Sequence, residues 1–135
     1  MATRTDGALL SSRPFRVAAP VLACALAALI LSTPAAAAEK AAALYRTYCM
    51  QCHGLAGNGE GINVRDMPVQ PRDHTDAKAM SARSDDTLFT VIKNGGPSID
   101  KSVIMPDWGG ALSDDEIRSL IPYLRHLCKC QYGGQ

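Results

Sequence analysis

The chain is 135 residues long and carries 14 Lys+Arg against 13 Asp+Glu, with five cysteines. So even a balance excludes a nucleic-acid partner, which would require a basic face. The length admits one domain with a small core, a size that commonly depends on disulfides, a metal or a cofactor.

The first forty residues read as a leader. Arg4, Arg13 and Arg16, against the lone acid Asp6, precede an apolar run from Val17 to Leu31, and "STPAAAAEK" follows. Positive region, apolar region and small-residue site is the order of a secretory signal. Cleavage is expected between Ala36 and Glu39, with Glu39 as the first mature residue: a signal peptide over 1–38 and one domain over 39–135. An uncleaved anchor is the alternative. Against it, the apolar run of about fifteen residues falls short of the ~20 that span a bilayer, and it contains Pro20. Cys24, in "VLAC", faintly resembles a lipoprotein signal, but the chain stays apolar beyond it as far as Leu31. Losing three arginines and one acid leaves the mature domain with 11 Lys+Arg and 12 Asp+Glu.

Beyond the leader, "EKAAALYRTY" is rich in helix formers and predicts a first helix over 39–48, with Leu44 and Tyr48 one turn apart on its apolar face. Four glycines in "HGLAGNGEG" make the next segment a loop, and "VRDMPVQPRDHTD" continues irregularly past Pro68 and Pro71. A short helical turn is expected around Asp76 to Met80. A second helix then follows Ser84, a good N-cap, with Leu88, Val91 and Ile92 at helical spacing and "NGG" (Asn94 to Gly96) as its stop. After the loop "PSIDKSVIMPDWGG", Ser113 and Glu116 have the form of a capping box, and Ile117, Leu120, Ile121, Leu124 and Leu127 form one apolar stripe. Pro122 removes a backbone hydrogen bond inside that last helix, so a bend is expected there. Helices and long loops without strand alternation predict an all-α fold whose terminal helices pack together.

The chemistry is concentrated in "CMQCH". The spacing C-x-x-C-H is the c-type haem attachment signature. Two thiols on one turn of chain, Cys49 and Cys52, can each add to a vinyl group along one porphyrin edge, which holds His53 beneath the iron as proximal ligand. A thioredoxin-like redox pair would call for a strand-to-helix junction, and no βαβ pattern surrounds this motif. A zinc site is the better rival, since Cys128 and Cys130 could complete a four-cysteine set. It leaves His53 unexplained, and C-x-C is a poor half-site.

"CMQCHGLAGNGEG", "IMPDW" and "LSDDEIRSLIPYLRHL" together resemble a small class I cytochrome c of the bacterial periplasm, over the whole mature chain. The resemblance implies a cytochrome c fold, three to four helices around one covalently attached haem c, with the first and last helices crossing. At that crossing Leu44 and Tyr48 are expected against Leu120, Tyr123 and Leu124.

For the sixth iron position the candidates are Met50, Met67, Met80, Met105, His74 and His126. Met50 lies inside the attachment motif and cannot reach the far face; nothing around Met67 and Met80 stiffens the chain, and a gap-filling core methionine is their default reading. Met105 stands 52 residues beyond His53, and Pro106 stiffens its backbone. "Met-Pro" also matches the family's distal-ligand motif, so Met105 is the expected ligand. His/Met ligation leaves no vacant iron position and raises the reduction potential, which suits an electron carrier rather than an enzyme. The resemblance further implies a proline carbonyl accepting the proximal ring N–H; Pro71 is the choice and Pro68 the alternative. Arg72 is a candidate partner for a haem carboxylate, beside the plainer reading of an exposed arginine. Trp108 is expected near the haem or the helix crossing.

"LCKCQYGGQ" departs from the family pattern. Cys128 and Cys130 are read as a local disulfide, more easily reduced than a structural one because C-x-C is so close; a link between chains or a copper site with His126 are the alternatives. The reading as a whole is a periplasmic carrier taking electrons from a dehydrogenase or quinol-oxidising complex to an oxidase or other high-potential acceptor. Its rivals are a haem subunit of one oxidoreductase (alcohol or sulfur-compound oxidation) and a thiol or copper protein acting through the C-x-C tail.

Overall fold

A computed structural model describes Met1 and residues 34–134. The leader reading, apart from residues 34–38, lies outside the described residues. Helix α1 (Pro34–Tyr48) is already formed five residues before the expected start. Four alanines ahead of Glu39 are good helix formers and extend the helix. The buried face is also displaced: Ala41 and Tyr45 are the buried residues, with Leu44 and Tyr48 half-buried at its edge. Tyr45 is fully buried and its ring stands 5.1 Å from that of Tyr123.

The attachment motif forms its own helical turn, α2 (Met50–His53), which ends at Gly54. Next come a 3-10 turn, Val64–Asp66, and then α3 (Ala77–Ser81), whose N-cap Asp76 accepts from the Ala79 N–H at 3.0 Å. Helix α4 (Asp85–Asn94) is capped by Ser84, which accepts from the Thr87 N–H at 3.1 Å. A second 3-10 turn covers Gly96–Ile99. Helix α5 (Asp114–Cys128) starts on the expected capping box: Glu116 N–H donates to Ser113 Oγ at 3.3 Å and Ser113 N–H to Glu116 Oε2 at 3.1 Å. It runs through Pro122 without interruption. Pro122 is exposed, so the carbonyl it leaves without a donor can bond to water. Among the described residues β-structure is a single bridge, Gln131 to Gly134.

The fold is all-α, with α1 packed chiefly on α5 and α4 on α5 and the second 3-10 turn. Tyr45, Met80, Leu88, Ile92, Leu112, Ile117, Leu120, Ile121 and Leu124 form the core. The stripe on α5 is the expected one except at its end, where Cys128 is buried and Leu127 only half-buried.

A charged residue shares that face. Arg125 is 5% exposed, and its guanidinium donates to Asp85 Oδ1 from Nε at 2.9 Å and from Nη2 at 2.7 Å. The same group donates to the Met80 carbonyl at 2.8 Å and the Arg83 carbonyl at 2.6 Å. The planar fork of donors thus satisfies the turn between α3 and α4 and holds it on α5.

Beyond α5, Cys128 and Cys130 are bonded to one another, as the local-disulfide reading expects, with Cα atoms 5.1 Å apart. Lys129 makes this possible by turning left-handed, at φ 52. Both cysteines are buried. The bridge closes a very short loop, so Cys128→Ser with Cys130→Ser should lower stability in a urea titration by only about 1–2 kcal/mol.

Candidate functional site

A cavity of about 620 Å³ opens between α1–α2 on one side and α4 with the 96–108 loop on the other. Apolar side chains, including Leu88, Val91 and Ile92 of α4 and Leu120 and Leu124 of α5, form its walls. Cys49, Cys52, His53, Pro71, Arg72, Met105 and Trp108 all line it, so the fold brings together every site residue expected from the sequence. Its charged lining residues are Arg72, Arg83 and Lys101, with no carboxylate among them. A larger depression of about 790 Å³, on the outer side of α5 beside Arg118, His126 and Lys129, contains none of those expected residues.

Cys49 and Cys52 are free and half-buried. Burial, with a smaller push from Cys52, drives the Cys49 thiol up to about 12, so it is protonated at neutral pH. One turn of helix sets the spacing: the His53 N–H donates to the Cys49 carbonyl at 2.9 Å. The His53 ring, 9% exposed, bonds through Nδ1 to the Arg72 carbonyl at 2.9 Å. A carbonyl can only accept, so Nδ1 carries the proton and Nε2 keeps its lone pair. Burial lowers the pKa of this histidine, opposed by the Arg72 carbonyl; the ring is neutral, as a metal ligand must be.

The acceptor is therefore Arg72, and not the carbonyl of Pro71 or Pro68. Pro71 is one residue away but turns its carbonyl toward Gly59, where a Cβ would stand 3.1 Å from that oxygen. Arg72 has its side chain exposed, on the cavity wall beside Arg83, and supplies its backbone to His53.

The candidates for a second axial donor separate by position. His126 is exposed on the outer side of α5. His74 stacks on His53 itself, with centroids 4.2 Å apart and planes at 15°, which places it on the proximal side. Met67, Met80 and Met105 all line the cavity, whereas Met50 does not. Met80 is fully buried in the core, while Met105 is half-buried at the end of a loop folded back on α4. Its carbonyl accepts from the Gly96 N–H at 2.9 Å, and its N–H donates to Ser102 at 3.3 Å. A Cβ on Gly96 would collide with the Ser102 carbonyl. Gly96→Ala should therefore displace the Met105 loop without touching either half of the site chemically, and is expected to weaken any Met105–metal absorption while leaving attachment at Cys49 and Cys52 intact. Trp108 lines the cavity and packs edge-on against Tyr48, 5.2 Å between centroids.

Sequence reasoning missed three participants. Arg83 and Lys101 reach the cavity from segments read only as a cap region and a loop. Tyr45, one position off the predicted face, shares a hydrogen bond of 3.1 Å with His74 Nδ1. Nothing in "RDHTD" distinguishes His74 from a loop histidine.

A family model described as cytochrome c oxidase, cbb3-type, subunit III, matches residues 36–124. The chain belongs to this family. It is a c-type cytochrome domain, of a haem-binding, electron-transport class. The cytochrome is 33% identical over 96 residues to the cbb3-type cytochrome c oxidase subunit CcoP of Azospirillum brasilense. That match covers 71% of the chain and 30% of the relative, so the cytochrome spans less than a third of that subunit. Among solved structures it resembles the KustC0563 c-type cytochrome, at 26% identity and a TM-score of 0.51, over 64% of this chain and 95% of that one.

Proposed function

We propose that residues 39–135 carry one electron at a time on a covalently bound haem c, attached through Cys49 and Cys52, with His53 and Met105 as axial ligands. The observation that carries this reading is the convergence of both thiols, a neutral Nδ1-protonated histidine and the anchored Met105 on one apolar cavity. The residues fit the group. The cavity lies within the roughly 300–1,000 Å³ of small-molecule sites, its walls suit a flat macrocycle, and Arg72, Arg83 and Lys101 offer cations to its carboxylates. Haem, when bound, supplies a one-electron iron couple. Arg72 fixes the proximal ring through its carbonyl, and the Gly96 turn presents the Met105 sulfur. Held by His53 and Met105 together, the iron would offer substrate no open position, and methionine ligation would favour a high potential. This is the chemistry of a carrier.

The donor in this reading is a dehydrogenase or quinol-oxidising complex and the acceptor an oxidase, in the periplasm after removal of residues 1–38. Membership of the cbb3 subunit III family supports an oxidase as partner. A second reading, a haem subunit resident in the oxidase assembly, is favoured by the likeness to CcoP. Co-purification with oxidase through a salt wash would select it, and an electron-transfer rate that depends on cytochrome concentration would select the carrier. Against the thiol, copper and zinc readings, Cys128 and Cys130 are bonded to each other and buried.

The test is retention of a Soret-absorbing haem after acid–acetone extraction, which thioether bonds survive. Cys49→Ala or Cys52→Ala should weaken retention and His53→Ala should abolish the native spectrum. Colourless protein containing one zinc would sink the proposal.

A further inference from the structure

Burying an imidazole is costly unless its nitrogens find partners, and an aliphatic side chain would fill the same space more cheaply. Yet His74 is 9% exposed and sits where the cytochrome can least tolerate an arbitrary contact, flat against the ring of His53 at 4.2 Å and 15°. Its own ring is tethered to Tyr45, a side chain with no exposure at all. Tyr45 in turn packs against Tyr123 of α5, so the tether reaches the packing of α1 on α5. The backbone repeats the constraint: the His74 N–H donates to the Gly57 carbonyl at 2.6 Å. At Gly57, with φ +79, a Cβ would stand 2.8 Å from Leu127 Cδ1, 3.4 Å from His74 Cβ and 3.5 Å from Tyr45 Oη.

We infer that His74, held by Tyr45, is the positioning residue that sets the plane of the His53 ring. The bond from Nδ1 to the Arg72 carbonyl fixes one edge of that ring and leaves it free to tilt about the bond. A parallel face resting on it removes the tilt. Edge and face together define a plane, and the plane of an axial imidazole selects which iron d orbital is depleted in the ferric state. Orientation by a partner of the ligand is a general means of tuning a metal site; here it would be an aromatic stack in addition to a hydrogen bond. The inference rests on the proposed role of His53.

The experiment uses the haem-loaded protein and two variants, His74→Leu and Tyr45→Phe, followed by ferric electron paramagnetic resonance and by redox titration. His74→Leu removes the flat face, so its low-spin signal should broaden and shift as the ring samples several planes. Replacing a polar ring by an aliphatic group against the proposed ligand His53 would disfavour the more positive ferric form. The reduced-to-oxidised ratio at fixed ambient potential should therefore rise by about threefold or more. Tyr45→Phe leaves the His74 ring in place and removes only its tether, and should move both readouts in the same direction by less. A His74→Leu protein with wild-type resonance and potential, whatever its melting temperature, would show that His74 only fills space and overturn the inference. If that variant does not fold, Tyr45→Phe decides: unchanged resonance and potential overturn the inference, and shifts in both support it. Wild-type protein without covalently held haem overturns the proposed function, and this inference with it.

Discussion

Met105→Ala protein, loaded with haem, will lose the weak near-infrared sulfur-to-iron band of methionine ligation, turn partly high-spin, and bind carbon monoxide rapidly where the wild type binds it slowly or not at all. The expectation rests on how the Met105 loop is held. Hydrogen bonds at both its N–H and its carbonyl, and the close approach of Gly96 to Ser102, fix the backbone, so the Met105 side chain is presented from a held loop. Met80→Ala is the control. Met80 is fully buried, and its loss should cost about 2–5 kcal/mol in stability while the near-infrared band remains. A wild-type protein that is high-spin and takes up carbon monoxide readily would reverse the assignment and favour a catalytic iron.

Arg125→Ala should lower stability to urea by about 1–3 kcal/mol, because the Arg83 carbonyl loses the donor that the guanidinium supplies, whereas the Met80 carbonyl keeps the Arg83 N–H at 3.1 Å. The ion pair itself contributes little to that figure: Asp85 is 60% exposed, and exposed carboxylates regain water. Against a total stability of about 5–15 kcal/mol for a domain, the change is large. Arg125→Lys should recover less than half of it, since one ammonium cannot reproduce the fork that spans two carbonyls and a carboxylate. Full recovery with lysine would mean that charge, and not the fork, holds α3 and α4 on α5.

The elements of the fold were legible wherever a local rule operates over a few residues. Ser84 and Ser113 cap the helices they were expected to cap, and "NGG" stops α4 at Gly95. The boundary of α1 was not legible in the same way: a leader cleavage site and a run of helix-forming alanines are the same letters. The face of α1 was misjudged by one residue, since Leu44, Tyr45 and Tyr48 all lie on adjacent positions of one turn, and only packing against Tyr123 selects Tyr45 as the buried anchor.

The covalent order of the chain determined the centre of the site. Cys49, Cys52 and His53 are spaced by a single helical turn, so their relation to one another hardly depends on the rest of the molecule. Met105 could be named because Pro106 marks a stiff loop at a suitable distance. What surrounds those residues was decided by tertiary structure. The Arg72 carbonyl, rather than that of Pro71, accepts from His53 Nδ1, while the Pro71 carbonyl faces Gly59. His74 meets Tyr45 across 29 residues and Arg125 meets Met80 across 45, through loops with no periodicity of their own. Hydrophobic spacing records which face of a helix is buried; it does not record which polar groups will be buried with it, because each finds its partner only when distant segments close on the same core.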